Sequence, residues 1–170
     1  MVWRIQTTLF HTTKRMMDDY FDRFYNKEAK RHQLLEADNF KVAKEIAAWK
    51  ENMAAHWDEI EVKALNMPED VMANPQVGDT ARVEVVLDTK GLNDKGLGVE
   101  IVAVRSGLHN NDHLYAVKEL PLVKAEGTIL TFAREVTLDY AGHLKFGLRM
   151  FPKNDLLPHR MDFAYVKWLS

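Results

Sequence analysis

"GDTARVEVVLDTKGLNDKGLGVEIVAVRSG", residues 78–107, decides how this chain folds. Within it, Ala81, Val83, Val85 and Leu87 alternate with Arg82, Glu84 and Val86. That is the two-residue period of a strand with one side buried. Residues 99–105 read as a second strand, and the glycine-rich "DTKGLNDKGLG" between them reads as a strand-to-strand connection.

Working toward the carboxy terminus, further strands are expected over 114–122, 128–139, 144–151 and 163–169. Turn chemistry separates them in "SGLHNND", "KAEGT", "YAGH" and "PKNDLLPH". Upstream, "DEIEVKAL" alternates Ile60, Val62 and Ala64 with charges, and "MPEDVMANPQVGD" reads as a connection. Six or seven strands without intervening helices indicate antiparallel layers rather than a parallel sheet. The expected fold class is α+β: a helical segment of two to three helices over 1–58, then an antiparallel immunoglobulin-like β-sandwich over 59–170.

The first part is helical by period. A short helix is expected over 2–10. A second is expected to start at a Thr12 or Thr13 cap and to reach about Arg31. A third, capped by Asp38 or Asn39, is expected over 40–57 with Phe40, Ala43, Ala47, Lys50, Met53, Ala54 and Trp57 on one side. The second helix is unusual. In "TTKRMMDDYFDRFY", Met16, Met17, Tyr20, Phe21, Phe24 and Tyr25 cover most of the circumference around Asp18, Asp19 and Asp22. A helix apolar most of the way round is normally buried among several partners, so this stretch reads as part of a larger body.

The chain has 170 residues with 23 basic and 25 acidic side chains, a net charge of −2 and no cysteine. The charge balance lacks the basic footprint of a nucleic-acid binder. Disulfides, thiolate nucleophiles and cysteine-based zinc sites are excluded. No signal peptide or membrane-length apolar run is visible, and a cytoplasmic location is expected.

Chemistry-bearing clusters are sparse. "HNNDH" sets His109 and His113 four apart beside Asp112, but its glycine and asparagines make a turn of it rather than the helix a metal pair would need. "DTKGLNDKGLG" fits neither a calcium loop nor a phosphate loop. Tyr115, Tyr140, Tyr165 and Trp168 are candidate carbohydrate contacts, since exposed aromatic faces can stack on sugars. Tyr165 and Trp168 fall on opposite faces of an alternating strand, so at most one of them belongs to a shared outer face. No catalytic, cofactor-binding or metal residue is assigned.

Two stretches resemble a known family. "TTKRMMDDYFDRFYNKEAKR", with Trp3 upstream, is similar to the C-terminal helix of α-glucan (glycogen/starch/maltodextrin) phosphorylases, the matching positions being Trp3, Thr12, Thr13, Arg15, Met16, Tyr20, Phe24 and Tyr25. "NFKVAKEIAAWKENMAAHWDEIEV" resembles the continuation of this region in the bacterial α-glucan phosphorylase group. "TFAREVTLDYAGHLKFGLRMFPKNDLLPHRMDFAYVKWL" is similar to the end of that group's C-terminal extension, through Phe146, Gly147, Leu148, Arg149, Met150, Pro152, Leu156, Leu157, Val166 and Trp168. Asn154 and Asp155 stand where the family usually has a histidine-proline pair.

The resemblance implies a parent glycosyltransferase that cleaves α-1,4-glucan with inorganic phosphate, giving glucose 1-phosphate, with pyridoxal phosphate on a lysine. The family's Gly-Thr-Ser-Asn-Met-Lys type segment is absent: Gly127 and Thr128 are followed by Ile129 and Leu130. The chain is therefore expected to carry no cofactor, to brace an upstream catalytic domain, and to offer its apolar helix to that domain or to a second copy. Two rival readings are a freestanding α-glucan-binding module and a metal-dependent enzyme using His109, Asp112 and His113.

Overall fold

The computed structural model describes residues 13–21, 25–68, 76–92, 96–105, 112–139 and 144–169. Trp3, Thr12, Phe24, His109, Tyr140 and the helix expected over 2–10 lie outside them. The chain divides into two compact units, Met1–Trp49 and Lys50–Ser170.

In the first unit, α1 spans Thr13–Tyr20 and has no buried residue. Met16, Met17, Tyr20, Phe21 and Tyr25 are all exposed, by between 48% and 72%. The Tyr25 ring packs against Phe21 and Tyr20 at centroid distances of 5.2 and 5.7 Å. Arg15 and Asp19 pair one turn apart.

A second helical run, α2, spans Asn26–His56 and enters the second unit at Lys50. It is interrupted where a boundary was expected: Ala37 is extended, and Asp38, Asn39 and Phe40 have φ of 51°, 57° and 61°. Asn and Asp tolerate this left-handed region better than other non-glycine residues. Past the break, the buried positions are Ile46, Met53 and Trp57, whereas Phe40, Ala47 and Ala54 are exposed. The buried line runs through Ile46, the half-buried Lys50, Met53 and Trp57 at steps of four, three and four, so the expected stripe is correct at its end, while Ala47 and Ala54 fall on its exposed flank.

Among the described residues, the second unit holds eight strands: β1 Glu61–Asn66, β2 Thr80–Asp88, β3 Leu97–Arg105, β4 His113–Leu120, β5 Leu122–Glu126, β6 Ile129–Thr137, β7 Leu144–Pro152 and β8 Lys167–Leu169. They form two four-stranded sheets, ordered β1-β2-β6-β5 and β4-β3-β7-β8, with every pairing antiparallel. Alternation decides the buried side. Val83, Val85 and Leu87 of β2, with Leu130 and Phe132 of β6, are buried in the first sheet. Val99 and Ile101 of β3, with Leu148 and Met150 of β7, are buried in the second.

Two boundaries depart from expectation. The single strand expected over 114–122 is two strands, because Pro121 lacks a backbone donor and the chain changes sheets there. The strand expected over 163–169 shrinks to Lys167–Leu169, preceded by the short 3₁₀ turn Arg160–Phe163. The latter is held by a capping box: His159 Nδ1 accepts from Met161 N, and Asp162 accepts from His159 N.

The connection after β2 is well anchored. The buried Thr89 hydroxyl lies 2.9 Å from Leu92 O and 3.0 Å from Thr128 O, and Asp88 Oδ1 accepts from Lys90 N. The Lys90 amide first, then the Thr128 side chain and the charges of Lys90 and Lys63, draw the Asp88 carboxyl down to about 2 against the opposing effect of burial. Met53 is fully buried on the helical side of this unit. Met53→Ala should therefore cost about 2–5 kcal/mol in urea denaturation, whereas Met16→Ala on α1 should cost less than about 0.5 kcal/mol. Equal losses would contradict this assignment of burial.

Candidate functional site

The outward side of the β4-β3-β7-β8 sheet carries the most organised group of polar and aromatic side chains in the second unit. Register sets Glu119, Glu100, Arg149 and Trp168 in one cross-strand row. Glu100, although outward, is only 3% exposed. Its Oε1 accepts from Arg149 Nε at 2.5 Å, and Arg160 reaches both carboxylate oxygens at 3.0 and 3.1 Å. Burial pushes the Glu100 carboxyl up, but hydrogen bonds and charge from Arg160 and Arg149 outweigh it and leave it below its ordinary value. The same contact raises Arg160.

Each arginine also meets an aromatic ring. Arg160 lies 4.7 Å from the Phe151 centroid and Arg149 lies 5.5 Å from that of Trp168, both within cation–π range. Both rings sit over glycines. A Cβ on Gly98 would clash with the Phe151 ring, and one on Gly147 would come within 2.8 Å of Trp168. The result is a ladder, Phe151–Arg160–Glu100–Arg149–Trp168, laid across the sheet.

The sugar-contact candidates do not form one platform. Trp168 is 57% exposed on the outward side, above a depression lined by Val102, Val104, Gly147, Asp112 and Lys145. Tyr165 precedes β8 and packs on Phe163 and Trp57 at 4.6 and 5.6 Å. Beside them Lys50 Nζ donates to Asp162 O. Tyr115 lines a different recess, with Ile101, Val136 and Leu138. Tyr140 lies outside the described residues.

The metal cluster gains no support from the geometry. Asp112 pairs with Lys145 at 2.9 Å, His113 begins β4 opposite Arg105, and His109 is outside the described residues. Among the described residues, no three His, Cys, Asp or Glu side chains gather to hold an ion. The buried polar residues described are Asp88, Thr89 and Glu100.

Glu100 itself escaped the sequence reading. The available signal was a lone acid inside "VEIVAV", a run whose other members are apolar.

A family model described as "Glycogen phosphorylase C-terminal domain" matches residues 57–170, well over half of the chain. The chain belongs to the glycogen phosphorylase C-terminal domain family. Maltodextrin phosphorylase of Thermococcus litoralis is 29% identical over 161 residues. That match covers 92% of this chain, so it extends into the helices upstream of residue 57, and 18% of the relative. The chain thus spans less than a fifth of the length of that curated relative.

The ladder makes a pH prediction for this phosphorylase-family domain. Glu100 titrates lower when folded than its ordinary value of about 4.3, so its contribution is present above that value and fades as pH falls through the folded value. Asp88 acts with the same sign, fading between about 4 and about 2. Glu100→Gln should destabilise the domain at pH 7 by on the order of 2–3 kcal/mol, because two arginines lose a charged acceptor. It should also flatten the acid limb of a urea-denaturation series run from pH 7 to pH 2. Wild-type and variant curves running parallel throughout would contradict the clamp.

Proposed function

We propose that this chain is the non-catalytic C-terminal region of an α-glucan phosphorylase, and that it braces an upstream catalytic part through the apolar side of α1 and Tyr25. The observation that carries this is the exposure of Met16, Met17, Tyr20, Phe21 and Tyr25, all on or just after one short helix. Large apolar side chains gathered this way on a surface mark an interface. The family membership of 57–170 and the small share of the maltodextrin phosphorylase that is matched support an enzyme body outside this chain. In this reading the parent phosphorolyses α-1,4-glucan to glucose 1-phosphate, and its pyridoxal phosphate is held in that body.

We read the two sheets as an immunoglobulin-like sandwich. Strand order supports it: hairpins alternate between sheets, and β1-β2-β6-β5 over β4-β3-β7-β8 matches an A-B-E-D layer over a C′-C-F-G layer. Such a module is a rigid brace, because its core is filled by its own strands.

The test uses the upstream catalytic region, expressed separately and mixed with this chain. Size-exclusion chromatography with light scattering should show a complex. The pair Met17→Asp and Tyr20→Asp should weaken it by at least about tenfold, as loss of central apolar anchors does. Equal binding by wild type and variant would overturn the bracing role. Release of glucose 1-phosphate from maltodextrin by the 170-residue chain alone, supplied with pyridoxal phosphate, would overturn the non-catalytic reading.

A further inference from the structure

We propose that the indole of Trp168 is a surface stacking site for an α-1,4-glucan chain, a second place where the parent would hold its polymeric substrate; the choice of glucan rests on the reading above. The site is built rather than incidental. Gly147 has no side chain, so the six-membered ring of Trp168 settles over its backbone, where a Cβ would clash at 2.8 Å. Arg149, itself fixed by Glu100, stands 5.5 Å from the ring and restrains its tilt. The indole is thereby oriented by its neighbours yet remains 57% exposed. An indole that served only the core would be turned inward, as Trp57 is at 5% exposure.

What surrounds the ring suits a sugar. The open depression beside it, about 210 Å³, has an apolar floor at Val102 and Val104 and a polar rim at Asp112 and Lys145. These two pair at 2.9 Å. The carboxylate keeps further lone pairs, and the ammonium keeps further hydrogens, for sugar hydroxyls. A pyranose offers that combination: an apolar C–H face for the ring and equatorial hydroxyls at its margin. The depression is open rather than enclosed, which fits a segment of polymer passing over the sheet and not a small molecule held in a pocket. Tyr115 and Tyr165 do not take part.

The test titrates the full 170-residue chain with maltoheptaose by calorimetry, with cellohexaose as the β-linked comparison. Wild type should bind maltoheptaose in the millimolar range and cellohexaose more weakly. Trp168→Ala should lose at least about tenfold in affinity, the scale of one aromatic contact, and Trp168→Phe should recover part of it. Gly147→Ala should weaken binding by displacing the ring while Trp168 remains present. Urea denaturation of each variant shows that the sheets still form. Retained affinity in Trp168→Ala, equal affinity for both sugars, or no heat from wild type at about 10 mM maltoheptaose would overturn the site. If, alongside such a result, the whole enzyme still phosphorolyses maltotetraose, the phosphorylase reading stands and the surface site alone falls.

Discussion

A buried carboxylate on the outward side of a sheet is the constraint around which the second unit closes. Glu100 sits mid-strand, where alternation should hand it to solvent, yet it is 3% exposed. Removing a charge from water costs several kcal/mol unless hydrogen bonds and opposite charge restore what hydration supplied. Arg149 comes from the neighbouring strand. Arg160 comes from the far end of the chain, 60 residues on. By binding both, Glu100 pins residues 153–166 across the sheet, so that the short β8 strand can pair with β7 despite its three residues. The same pair of arginines steadies Phe151 and Trp168, each seated on a glycine. One ion cluster thereby sets the position of the last strand, the orientation of an exposed indole and the path of the chain between them.

The two units stand in different conditions. The strands bury Val83, Val85, Leu87, Phe132, Val99 and Met150 almost completely within 50–170. A unit that fills its own core in this way can be stable by itself. The described residues of α1 bury nothing, and its three large apolar side chains, Met16, Met17 and Tyr20, all stand exposed. An isolated helix of eight residues is marginal in water, and its stability must come from something that covers it. In the bracing role proposed above, the sheets are the finished module and the helices supply half of an interface.

How much could be read from the residues follows the same physics. Period-two alternation located β1 and β2 to within about two residues, because one-sided burial writes itself directly into strands, and the turn signals between apolar runs located β3, β6 and β7 as closely. The helix boundary near Asp38 and Asn39 was visible because both favour caps and left-handed backbone. The phase of the stripe beyond it was not, since apolar residues at Ala47 and Ala54 flank the buried line through Ile46, Met53 and Trp57 and widen the apolar face beyond what packing uses. Pro121 was present in the quoted strand, but its meaning as a switch between sheets depends on where the next partner lies. Glu100 and Arg160 were illegible as a pair: 60 positions separate them, and the one local signal, a lone acid in an apolar run at Glu100, does not name its partner. Among the sugar-contact candidates, residue type alone treated four aromatics alike. Alternation already separated Trp168 from Tyr165, but which of them faces outward showed only in Gly147 beneath the indole and in the packing of Tyr165 on Trp57.

Native-state hydrogen exchange on the 170-residue chain measures the contrast between the units most directly. Amides of β2, β3, β6 and β7 should exchange only through global unfolding, while those of α1 exchange within a few-fold of unstructured peptide rates. Adding the upstream catalytic region should slow α1 and leave the sheet amides as they were. Sheet-level protection of α1 in the isolated chain would contradict the claim that this helix is completed from outside.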